Sequence, residues 1–238
     1  MRYVTGSSMA VLVLLVLAPQ LRAQYVPSAP PLRDGGGGKA ETQADDEVGQ
    51  PYYVFDDKIH HFSPGGYMPG GDIRVSQSQV CETEPHRGKY CYRVVCDLRQ
   101  DAWMGIAFLP GGKWTPVLKI DVFEKLGGAK KGDPIVLRFW ARSPNGATVQ
   151  FKVGGIDEDS VQFPVASQWV HLTKDWRKYT LDLTGQDLSG LRAGFMWVIN
   201  IDNNPRLERP EFCTDDIYFT KVKARPRDTV NEGTLRDE

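Results

Sequence analysis

The stretch Ile135-Val136-Leu137-Arg138-Phe139-Trp140-Ala141-Arg142 decides the fold class. Read at a period of two, it puts Ile135, Leu137, Phe139 and Ala141 on one face and Val136, Arg138, Trp140 and Arg142 on the other. That alternation marks a half-buried strand, one side in a core and the other available for a ligand or partner. The pattern recurs along the chain. Val149, Phe151 and Val153 alternate with Gln150 and Lys152, and Tyr179, Leu181 and Leu183 with Lys178, Thr180 and Asp182. Residues 195–201 are apolar on both faces and read as a central strand. The series closes on Phe212-Cys213-Thr214-Asp215-Asp216-Ile217-Tyr218-Phe219. Turn signals separate the runs: Pro110-Gly111-Gly112, Gly127-Gly128, Pro144-Asn145-Gly146 and Gly154-Gly155. One short helical candidate lies at 122–126. Many short strands between such turns predict an all-β, two-sheet sandwich or jelly roll.

The ends of the chain read differently. Met9 to Ala18 is an apolar core, preceded by Arg2 and followed by Leu21-Arg22-Ala23, which is the layout of a secretory signal peptide over residues 1–23. The core is too short to span a bilayer comfortably. The expectation is therefore an exported, secreted or periplasmic protein with no membrane span after cleavage. Loss of Arg2 and Arg22 takes the net charge from −1 to −3. A nearly balanced chain without a basic stripe gives no reason to expect a nucleic-acid partner. Residues 24–50, with Pro27, Pro30, Pro31 and the run Gly35 to Gly38, read as a disordered linker. The β domain is expected over 51–222 and a polar, disordered tail over 223–238.

Four cysteines, Cys81, Cys91, Cys96 and Cys213, suggest disulfides in an exported chain. Strand parity puts Cys96 with Tyr90, Tyr92 and Val94 on an apolar face, and Cys213 with Ile217 and Phe219 on another. It therefore pairs Cys96 with Cys213, and leaves Cys81 with Cys91 to close a short loop. There is no CxxC pair to favour zinc.

Six stretches resemble a known family. They are Phe62-Ser63-Pro64-Gly65-Gly66-Tyr67-Met68, Glu84-Pro85-His86-Arg87-Gly88-Lys89-Tyr90-Cys91, Ala102-Trp103-Met104-Gly105-Ile106, Leu137-Arg138-Phe139-Trp140-Ala141-Arg142, Val153-Gly154-Gly155-Ile156 and Thr214-Asp215-Asp216-Ile217. In this order over 51–222 the chain resembles the galactose-binding-like jelly rolls, the fold of many carbohydrate-binding modules of secreted bacterial proteins. The resemblance implies a glycan ligand and often a structural Ca²⁺ on the first Asp of the last-strand motif, which maps to Asp215. The group carries a further tryptophan in an aromatic-polar run after the Trp-x-Gly stretch. Here that segment departs from the pattern and reads Ala107-Phe108-Leu109-Pro110-Gly111-Gly112-Lys113-Trp114. Trp114 is counted with the candidate ligand-binding residues.

The residue types support an aromatic platform on their own. Sugars stack apolar C–H faces on indole or phenol rings while planar polar groups bond their hydroxyls. Trp140 shares a strand face with Arg138 and Arg142. Gln150 and Lys152 lie on the outer face of the next strand, expected beside it. Trp103 shares its face with Gly105 and Ala107, small residues that leave a groove next to the indole. Trp169 and Trp197 read as core, and Trp176 as packing at a strand entrance. Asp56 and Asp57 near the first strand and Asp215 and Asp216 in the last form a candidate calcium site, with the loop 82–88 to supply carbonyls.

Catalysis has little to stand on. His60, His61, His86 and His171 form no metal motif, and neither a Gly-x-Ser-x-Gly elbow nor a His-Glu-x-x-His helix is present. The sequence thus reads as a secreted, non-catalytic carbohydrate-binding protein. A secreted structural or protein-interaction sandwich is the alternative, and a glycan-active enzyme with two carboxylates across a cleft comes third.

Overall fold

The computed structural model describes residues 46–68, 77–82, 84–98, 103–111, 118–154 and 165–223. The expected leader, the tail from 224, the linker up to 45 and Trp114 lie outside them. The described residues form twelve strands and one short helix. In chain order these are β1 (Glu47–Asp56), β2 (Lys58–Ile59), β3 (Phe62–Met68), β4 (Gln77–Cys81), β5 (Cys91–Val95), β6 (Trp103–Pro110), α1 (Val122–Lys125), β7 (Ile135–Arg142), β8 (Thr148–Gly154), β9 (Val165–His171), β10 (Arg177–Asp182), β11 (Ala193–Asn200) and β12 (Glu211–Val222). The helix falls where the sequence places it, capped by the Asp121 side chain accepting from Glu124 N.

The strands make two antiparallel sheets, so the chain is an all-β jelly-roll sandwich. One sheet of five runs β3-β6-β11-β8-β9. The other, of seven, runs β10-β7-β12-β1-β2, with β5 beside the first half of β12 and β4 outside β5. β11 is the middle strand of its sheet, as expected of a run apolar on both faces. The inner faces meet in one core, where Phe139, Phe151, Phe195, Phe212 and Phe219 pack with Trp197. Trp197 is fully buried, and its Nε1 has no hydrogen-bond partner.

Three features depart from the sequence reading. First, β7 and β8 do not lie side by side. The turn at 143–147 carries the chain from one sheet to the other, with Gly146 at φ +77° and Ser143 Oγ accepting from Ala147 N at 2.7 Å. Second, the domain starts earlier than 51. Glu47 and Val48 already pair with Val222 and Lys221.

Third, β12 is bulged. Its register against β7 shifts between Asp215 and Tyr218, and Asp216 sits at φ +46°. One extra residue inverts the side-chain alternation beyond it. Ile217 and Phe219 therefore face the core together with Phe212, while Cys213 faces outward beside Arg93 and Arg142. Cys96 is buried in the core. The expected Cys96–Cys213 bridge is overturned on that ground: the two thiols lie on opposite faces of the sheet.

Candidate functional site

The candidate binding residues divide between the two sheets. On the seven-stranded sheet, Arg138 and Trp140 do face outward from β7, but neither presents an open group. Arg138 is buried, and its guanidinium forks onto Asp46 Oδ2 at 2.7 Å and Glu47 Oε1 at 2.5 Å. Tyr218 Oη donates to the same Glu47 oxygen at 2.8 Å. Burial opposes ionisation of Asp46, but the hydrogen bond and charge of Arg138 prevail and hold its carboxyl below the usual range. The role expected of Arg138, orienting a glycan, is corrected: Nη1 and Nη2 are held by acids of the domain, and Nε is buried away from solvent.

Trp140 is covered by His86, whose ring stacks on the indole with centroids 3.8 Å apart and planes 17° apart. The histidine belongs to the segment 84–90, which lies over this face. Trp176 meets His86 edge-on at 5.9 Å and donates Nε1–H to Glu84 O at 3.1 Å. Arg142 reaches Glu84 at 2.6 Å and stands over the Trp176 ring. The Trp140 platform is thus occupied by the protein's own side chain.

The aspartates explain how that segment is held. Asp215 Oδ2 accepts from His86 N at 2.9 Å and Arg87 N at 3.4 Å, and Asp215 Oδ1 accepts from Asp216 N at 2.8 Å. Asp216 takes His86 Nδ1 at 3.0 Å and the Arg87 guanidinium at 3.3 Å. Asp57 Oδ1 accepts from Lys89 N and Tyr90 N at 2.7 and 2.8 Å. Gly88, at φ +71°, lets the backbone pass so close that a Cβ there would collide with the Asp57 carboxylate. Asp56 pairs with His60.

The acids at the two chain ends therefore do converge, and on the segment the sequence singled out. But the segment offers them N–H groups where a Ca²⁺ ion needs oxygens. Among the described residues no group of three metal-ligating side chains is assembled. The donor set does not fit calcium. Burial, reinforced by the Asp216 charge, pushes the Asp215 carboxyl up to about 6.

The outer face of the five-stranded sheet is open at its Trp103 end and closed farther along, where Ala107, Leu109, Ala193 and Met196 form a second buried cluster. Trp103 on β6 is 40% exposed, directly opposite Asn200 on β11. The next residues along these strands, Gly105 and Val198, face each other, and Gln150 on β8 and Trp169 on β9 continue that row. In the row beyond, Ala107 faces Met196, and Met196 faces Lys152. Gln150 donates Nε2–H to Ser167 O at 3.0 Å, which fixes its amide. Burial pushes the half-buried Lys152 amine below its usual range. The five strands contain one Lys, no Arg and no Asp or Glu.

Of the residues expected at a site, the structure thus brings Trp103, Gln150 and Lys152 together and separates them from Trp140 and Arg138. Sequence reading missed Asn200 and Trp169. Alternation from the inward-facing Trp197 places Asn200 outward. Trp169 carries a weaker signal, because the register between β8 and β9 shifts next to it. The four cysteines carry thiols, with Cys81 Sγ and Cys91 Sγ 3.8 Å apart. No helix among the described residues is long and apolar enough to cross a membrane.

No family model matches the chain, and no curated protein matches it. Solved structures do. A family 30 carbohydrate-binding module is similar at 19% identity and a TM-score of 0.49, over 77% of this chain and 95% of that one. The CBM22-1 xylan-binding domain of Xyn10C from Paenibacillus barcinonensis is similar at 14% identity and a TM-score of 0.44, over 75% and 99% of the two chains. An exo-beta-agarase is similar at 12% identity and 0.49, over 77% of this chain and 25% of its own. All three scores lie below one half. The fold assignment therefore rests on the two sheets themselves, and no residue's role is drawn from these proteins.

Proposed function

We propose that this protein is a secreted, non-catalytic carbohydrate-binding domain, and that its glycan lies on the outer face of the five-stranded sheet. The observation that carries this reading is Trp103. It is the one aromatic among the large hydrophobic side chains exposed in the described residues. Its indole lies on the same strand face as Gly105 and opposite a planar amide, Asn200. An apolar ring flanked by a few placed polar groups is what a sugar face and its hydroxyls require. Trp169 sits three strands away, roughly 14 Å at the usual strand spacing. Two rings so placed suit an extended chain laid across the strands, with Gln150 and Lys152 between and beside them as donors.

Export rests on the leader expected over residues 1–23.

A polysaccharide array covering neutral and uronate-containing chains, followed by titration calorimetry, tests the reading. Trp103→Ala is expected to weaken the best ligand by about 1–3 kcal/mol, by analogy with base stacking on aromatic rings, or roughly tenfold to a hundredfold. Unchanged affinity in a folded Trp103→Ala protein would rule out this face.

A further inference from the structure

Three of the four thiols share the outer face of the seven-stranded sheet. Cys81 and Cys91 face each other across β4 and β5, with their sulfurs 3.8 Å apart. Cys213, on the neighbouring β12, pairs with Arg93, which sets it diagonally across from Cys91 on the same outward face. Cys91 and Cys213 are buried, whereas Cys81 is half-exposed. Cys81 ends β4, a strand whose one sheet partner among the described residues is β5. Cys96 is enclosed in the core and takes no part.

We propose that Cys81, Cys91 and Cys213 form a thiol–disulfide exchange site, with Cys91 the central sulfur shared by two alternative bridges. Its substrate class is a small-molecule disulfide, R–S–S–R, entering at Cys81. The Cys81 thiolate attacks one sulfur of R–S–S–R, forming a mixed disulfide and releasing the first RSH. The Cys91 sulfur then attacks Cys81 Sγ. The Cys81–Cys91 bond forms, the bond to R breaks, and the Cys91 proton leaves with the second RSH. Two protein thiols have been oxidised and one external disulfide reduced to two thiols.

The last step needs no further oxidant. The Cys213 thiolate attacks Cys91 Sγ, the Cys91–Cys213 bond forms, and the electron pair of the broken bond departs on Cys81, which takes up a proton. Geometry favours Cys81 as the leaving sulfur: it is half-exposed where Cys91 and Cys213 are buried, so the departing thiolate is the one that reaches solvent. In the first bridge β4 is pinned covalently to β5. In the second it is released, and its half-exposed thiol is regenerated.

The test is a time course with oxidised glutathione on the full chain, quenched with acid, alkylated and mapped by mass spectrometry without reduction. The expected order is a glutathione adduct on Cys81, then Cys81–Cys91, then Cys91–Cys213, with both bridges present at the end. Cys213→Ser is expected to stop at Cys81–Cys91, while Cys96→Ser follows the wild type. The wild-type course decides the matter even if a variant fails to fold. Detection of only one of the two bridges at all times, or of Cys96 in any bridge, would overturn the proposal.

Discussion

His86 lies flat on the indole of Trp140, their ring centroids 3.8 Å apart. It is fastened from below, its backbone N–H on Asp215 and its Nδ1 on Asp216. Both aspartates belong to the bulge of β12, and Trp140 lies directly opposite Asp215 on β7. One irregularity in a strand thus holds a segment far away in sequence over the most obvious aromatic platform of the chain.

Trp140 should consequently matter to stability rather than to binding. Removing it deprives His86 of an aromatic partner, a contact of about 0.5–1.5 kcal/mol. Trp140→Ala is expected to lower the urea midpoint while leaving glycan affinity as it was. Calorimetry on the folded variant checks this. A tenfold loss of affinity would return the binding face to the seven-stranded sheet.

Arg138 is expected to behave as a structural cation. Its loss leaves Glu47 with its side chain only 9% exposed and without its counter-charge. Breaking a buried pair from one side costs about 3 kcal/mol or more. Arg138→Ala should shift the denaturant midpoint by that amount with no change in m-value, and Arg138→Lys should recover only part, since lysine lacks the two-pronged fork. A midpoint equal to the wild type would show that Asp46 and Glu47 find water instead.

The pH dependence of stability follows from Asp215. Its carboxyl titrates at about 6 in the fold against 3.8 for an ordinary side chain, chiefly through burial and then through Asp216. Between those values the folded state holds a proton that the unfolded chain has released, so stability falls as pH rises. The contribution is full below about pH 4 and is lost by the time pH has passed about 6. Relative to Asp215→Asn, which cannot titrate, the wild type should lose stability across that window. Denaturant melts at several pH values measure the difference, and a flat difference would contradict the shift.

Calcium should leave the protein unmoved. A ligand stabilises a fold only by binding it in preference to the unfolded chain, and Asp57 and Asp215 already accept from N–H groups of 86–90 while Asp56 pairs with His60. Protein stripped with chelator and protein refilled with Ca²⁺ are expected to melt at the same temperature. A rise on refilling that Asp215→Ala removes would show that the ion displaces those donors.

What the sequence determined by itself is local. Alternation at a period of two needs only the pleat of a strand, so it was readable in 135–142, in 149–153 and in the double-sided run of β11. Those stretches suffice for an all-β sandwich and for the outward placement of Gln150 and Lys152. What only the tertiary structure decided depends on non-local pairing. The sheet to which a strand belongs is set where the chain crosses over, so Trp140 and Gln150, ten residues apart, lie on different sheets. The charge that closes on Arg138 comes from residues 46 and 47, and the ring that covers Trp140 from residue 86. Parity itself fails at Asp216, because a bulge adds one residue to a strand without leaving a mark in composition. That single residue turns Cys213 away from Cys96 and onto the outward face it shares with Cys91.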